Sequence, residues 1–157
     1  MAMPGVEHLQ NVHPLFVHYP IALLAAATLF YVVAWLARSE RLAFAAYVTL
    51  LAGTAGGALA VATGLYAEGG VMVSRSVRAA LLERHETLML TTASLALVAS
   101  IWASMQRPFP RRLRPLFIVL LLAMIGVLFK GADDGGRMVY DYNAGGSACG
   151  QPIDFTK

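Results

Sequence analysis

His18 and His85 are the residues of this sequence best suited to chemistry. Each stands near the start of a long apolar stretch, and a neutral imidazole is the commonest metal ligand among side chains. Ionisable groups at membrane depth are costly, face a bundle interior or cavity, and mark a functional site by default. His13, directly before Pro14, is the alternative ligand from the same stretch, whereas His8 reads as an interfacial side chain. Small residues share the face of each histidine, because positions i, i+3, i+4 and i+7 line one side of a helix. Ala22 and Ala25 follow His18 in this way, and Met89, Thr92, Ala96, Ala99 and Ala103 follow His85. Below an inward imidazole such side chains leave a slot for a planar macrocycle. The chemistry implied is bis-histidine ligation of haem b, with Met89 a weaker candidate for an axial position.

Helices must bring the two rings together. Of the 157 residues, 58% are hydrophobic and only 13% are charged, against about 25% charged in soluble domains. The expected fold is an all-α membrane protein: a four-transmembrane-helix up-down-up-down bundle with an irregular C-terminal tail. Helices are predicted at about 15–37, 42–66, 80–106 and 113–131, with the tail at 132–157, so that 1–157 forms a single domain. A spanning helix needs roughly 20 apolar residues; the fourth run is short, but Arg114 and Lys130 flank it and can snorkel to the headgroups. Odd-numbered helices begin on the same side, so His18 and His85 share a depth. With neighbouring axes roughly 8–10 Å apart, the diagonal between helices one and three is on the order of 13 Å. Two imidazoles, each with a nitrogen about 2 Å from a shared metal, bridge such a gap.

Charge orients the bundle. Arg38 and Arg41 lie in one tight turn, and Arg107, Arg111, Arg112 and Arg114 in the other. The positive-inside rule puts both turns in the cytoplasm, and both termini in the periplasm of a bacterial inner-membrane protein. Met1 to Pro14 holds no Lys or Arg, so a cleavable signal peptide is not expected. All four histidines fall at the outward end with Glu68, Glu83, Glu86, Asp133, Asp134 and Asp141. The net charge of +3 comes from the flanking arginines and suggests no nucleic-acid partner. Cys149 is the single cysteine and no CxxCH occurs, which excludes the usual covalent haem attachment.

Gly53, Gly57, Ala60 and Gly64 form a small-residue stripe on helix two, suited to close helix packing or to making room for a cofactor at Gly57. Glu68 and Glu86 with His85 and His13 or His18 offer a second ligand set, for zinc or copper. It matches no metal motif, and neither HExxH nor ExxH occurs.

The segment His13-Pro14-Leu15-Phe16-Val17-His18-Tyr19-Pro20-Ile21-Ala22 resembles the opening of an uncharacterised group of small bacterial membrane proteins, the domain of unknown function 2231 family. Thr63-Gly64 near the end of helix two, His85 opening helix three, and Gly135-Gly136-Arg137-Met138-Val139-Tyr140 continue the resemblance in order. Members often carry another histidine before that Gly-Gly; here Asp133-Asp134 stands instead. The resemblance implies a four-helix membrane unit with outward histidines, commonly found alongside periplasmic cytochromes, and no established activity.

Three functions remain open. One is a b-type cytochrome-like electron-transfer subunit between a quinol-linked complex and a periplasmic carrier such as cytochrome c. Another is a cofactor-free accessory subunit of a larger membrane redox complex. The last is a divalent-metal-binding membrane protein. An electron-transfer or accessory role suits so little soluble mass better than stand-alone catalysis.

Overall fold

In the computed structural model, residues 12–71, 73–142 and 144 are described. His8 and Cys149 lie outside these described residues. Four helices are long and apolar enough to cross a membrane, and the described residues contain no strand. We number them α1 (His13–Ala37), α2 (Glu40–Ala67), α3 (Arg75–Met105) and α4 (Arg114–Tyr142). α1 packs most extensively on α2, and α3 on α4; α2 with α3 and α1 with α4 close the square.

The turns follow from local chemistry. α1 ends where Arg38 takes a left-handed conformation (φ 51°) and Ser39 caps α2, its hydroxyl accepting from the Leu42 amide at 3.3 Å. Between α3 and α4 an aromatic cluster closes the same end. The Tyr31 ring packs edge-on against Phe117 and beside Phe109, and its hydroxyl donates to the Pro108 carbonyl at 2.9 Å. The arginines of both turns stand around this end, with Arg114 over Phe109.

Each helix presents one inward seam at alternating steps of three and four residues. On α1 the seam is His13, Pro20, Leu24, Ala27, Tyr31 and Ala34, all buried except the half-buried His13. On α2 it runs Ala43, Ala46, Leu50, Gly53, Gly57, Ala60, Gly64 and Ala67. Gly53 admits α1 so closely that a methyl built there would stand 3.1 Å from the Leu24 backbone nitrogen. Without a hydrophobic drive between helices in lipid, such backbone approach is a main source of cohesion. Gly57 faces Pro20, whose Cβ would stand 3.9 Å from an added methyl.

Three boundaries differ from those read along the sequence. α1 begins at His13, because Pro14 suits the first helical turn, where no amide partner is required. α3 begins at Arg75, with a π-helical turn at Arg78–Leu82 before the regular helix Glu83–Met105. α4 runs through Tyr142, beyond the expected end near 131. Charge pairs one turn apart carry it on: Lys130 with Asp133 and Asp134, and Arg137 with Asp141. Leu81 and Leu82, consecutive in the π turn, pack with Met138 and Ala144 to close this end.

Candidate functional site

Helix phase decides which histidine of α1 faces inward. His13 lies seven residues before Pro20 and so shares the buried seam. His18 lies five residues after His13, about 140° around the helix at 100° per residue. His18 is exposed, its Nδ1 bonded only to the Pro14 carbonyl of its own helix at 3.3 Å. Ala22, expected to form a slot beneath it, is exposed too. His18 therefore faces the surroundings, and His13 is the α1 histidine that enters the bundle.

His13 is anchored to α2. Its Nδ1 lies 3.1 Å from the Thr63 hydroxyl, which itself donates to the Leu59 and Ala60 carbonyls one turn back, at 3.0 Å each. The hydroxyl thus joins the His13 ring to the backbone of α2. The ring rests on Gly64, where an added methyl would stand 3.0 Å from its Cε1.

His85 is held the same way by α4. Its Nδ1 lies 2.7 Å from the Gly131 carbonyl, and since a carbonyl can only accept, Nδ1 carries the proton. The ring rests on Gly135, where an added methyl would stand 2.9 Å from Cε1. Gly131 receives the Met89 side chain, so Met89 fills the notch one turn below His85. Beneath it the expected face holds: Thr92, Ala96, Ala99 and Ala103 are all buried.

His13 and His85 stand on α1 and α3, at the end where both helices begin. In neutral His85, whose Nδ1 carries the proton, the lone pair is on Nε2. A ring that donates one N–H to the protein and offers the other nitrogen is the form in which histidine ligates metals. The histidines turned toward neighbouring helices are thus His13 and His85, on diagonal helices at the end where α1 and α3 begin.

An ion cluster missed in the sequence stands beside His85. Asp134, with its side chain fully buried, accepts Arg84 through both oxygens, Nε at 2.7 Å and Nη2 at 2.6 Å. Lys130 lies 3.3 Å from the same carboxylate and 2.8 Å from Asp133. The i,i+4 spacing of Lys130 and Asp134 was the available signal that helix continued here.

The carboxylate alternative finds less support. Glu68 pairs with Arg78 at 3.2 Å, and Glu86 stands one residue beyond His85, about 100° around α3. Among the described residues, no three His, Cys, Asp or Glu are grouped to hold a metal ion. A groove of about 570 Å³ between α2 and α3 runs past Thr54, Ala58, Leu97 and Ser100 and contains no ionisable side chain.

A family model described as "Predicted membrane protein (DUF2231)" matches residues 9–148. No curated protein and no solved structure is matched.

Proposed function

The chain belongs to the DUF2231 family of predicted membrane proteins, and on that premise we propose that it is a b-type cytochrome-like electron-transfer subunit, with His13 and His85 as the axial ligands of one haem b. The observation that carries this reading is the matched anchoring of the two rings. Each ring is hydrogen-bonded through Nδ1 to the neighbouring helix, at the Thr63 hydroxyl and the Gly131 carbonyl, so that Nε2 would be the nitrogen to take an iron. The donor set therefore fits an iron porphyrin, whose iron takes two axial nitrogens and needs no carboxylate.

The haem would supply one-electron chemistry at its iron. The chain's part is to hold, orient and insulate. Thr63 and Gly131 fix both ring orientations, and Gly64 and Gly135 let the rings lie against neighbouring backbones. Leu24, Leu50, Leu121 and Leu128 keep water out of the bundle below. The site lies at the end remote from the arginine turns, which positive-inside orientation makes periplasmic in a bacterial inner membrane. From there it would relay electrons between a membrane quinol pool and a periplasmic carrier or larger redox complex.

The test is a reduced-minus-oxidised visible spectrum of purified protein with a haem and metal assay. Sharp α and β bands with about one haem per chain are expected, lost in His13→Ala and His85→Ala and retained in His18→Ala. Colourless protein without iron overturns the reading.

A second reading has its own observation. The rings already satisfy their Nδ1 atoms by interhelical hydrogen bonds of a kind that also holds membrane helices together. A cofactor-free accessory subunit would use them so, and the same assay decides between the two.

A further inference from the structure

We propose that the pair of Arg84 with the buried Asp134 carboxylate is a positioning device that holds His85 in its Nδ1–H form by fixing the register of α3 against α4. The proposal rests on His85 being the site histidine of α3, and it deepens that reading.

The contact needing control is the 2.7 Å bond from His85 Nδ1 to the Gly131 carbonyl. It runs between helices, so its length follows the axial position and rotation of α4. A slip of one residue moves a helix 1.5 Å along its axis and turns it 100°. At the ring itself α4 offers Gly131 and Gly135, which carry no side chains to set a direction. Leu88 and Met89 pack on the first glycine, and Met89 is a long, adaptable side chain.

Asp134 supplies the direction that the glycines lack. It follows Gly131 by three residues and precedes Gly135, and its partner Arg84 directly precedes His85. The bidentate fork has both a preferred plane and a preferred distance, so it tolerates little sliding or rotation. Its carboxylate is fully buried, whereas Arg84 and Lys130 are each about half exposed. A buried carboxylate left unpaired is strongly unfavourable, so any register that parts Asp134 from its cations is disfavoured. Specificity of register, rather than net stability, is the contribution expected of such a pair.

The test is ¹⁵N NMR of histidine-labelled protein in detergent under reducing conditions, with His85 assigned by its loss in His85→Ala. In the unaltered chain, His85 should give one species protonated at Nδ1. In Asp134→Asn and in Arg84→Gln this single-tautomer signature should be lost, giving an exchanging mixture, while His18 is unchanged. Asp133→Asn, at the exposed partner of Lys130, should leave His85 as it was. Circular dichroism confirms that the helices persist. Should Asp134→Asn fail to fold, Arg84→Gln decides alone, because Asp134 there keeps Lys130. A single Nδ1–H species in the folded variants overturns the proposal. The colour of the same samples reports the cofactor separately, so a colourless preparation removes the haem reading and leaves the tautomer result standing.

Discussion

At the residue scale, the proposed site is two imidazoles, each hydrogen-bonded through Nδ1 to a neighbouring helix. His13 is joined to the Thr63 hydroxyl, and His85 donates to the Gly131 carbonyl. A side chain can be deleted where a backbone carbonyl cannot, so Thr63 is the accessible handle. Removing an outer partner of a metal-ligating histidine typically costs roughly 10–100-fold in affinity. Thr63→Val should weaken haem retention within that range without abolishing the spectrum, measured by haem release to a competing apoprotein. Thr63→Ser, which keeps the hydroxyl, should restore it. Retention unchanged in Thr63→Val would remove the argument that this hydroxyl orients the ring.

At the element scale, glycines let the helices approach, and their individual roles differ. Gly53 faces the Leu24 side chain and backbone, while Gly57 has only the Pro20 Cβ, at 3.9 Å from an added methyl. Gly53→Ala should therefore force α1 and α2 apart and destabilise by about 1–3 kcal/mol, as overpacking does. Gly57→Ala fills an ordinary contact distance and should be near neutral. Thermal or denaturant unfolding in one detergent compares them directly, and equal stability in both would contradict the packing described. His85 and its seam of Thr92, Ala96, Ala99 and Ala103 were legible along the chain, because small and hydroxyl residues at steps of three and four mark a packed face. α1 gave no such mark. Leu24 and Tyr31 face inward while Leu29 and Leu36 face outward, and all are apolar. In lipid both sides of a helix are apolar, so hydropathy alone cannot set its rotation.

At the scale of the whole molecule, the bundle has two chemically distinct ends. One carries the arginine turns and the aromatic cluster around Tyr31; the other carries the histidine pair and the Arg84–Asp134 clasp. In the proposed orientation the first faces the cytoplasm. In a Cys149→Ser background, Arg41→Cys and Arg111→Cys should react with an impermeant maleimide only after the inner face is exposed. Tyr66→Cys, at a position 89% exposed near the histidine end, should react in intact spheroplasts. The reverse pattern would invert the orientation and place the site toward the cytoplasm.

Composition and run length determined by themselves that four helices span a membrane, and alternation of direction determined that the histidines gather at one end. These are properties of a one-dimensional pattern: hydropathy sets which segments enter lipid, and connectivity sets which way each one runs. Only the tertiary structure decided that His13 rather than His18 turns inward and that Asp134 is buried against Arg84. Each of these depends on the rotation or register of one helix against another. Those are fixed by contacts between residues distant in sequence, such as Gly53 with Leu24 and His85 with Gly131.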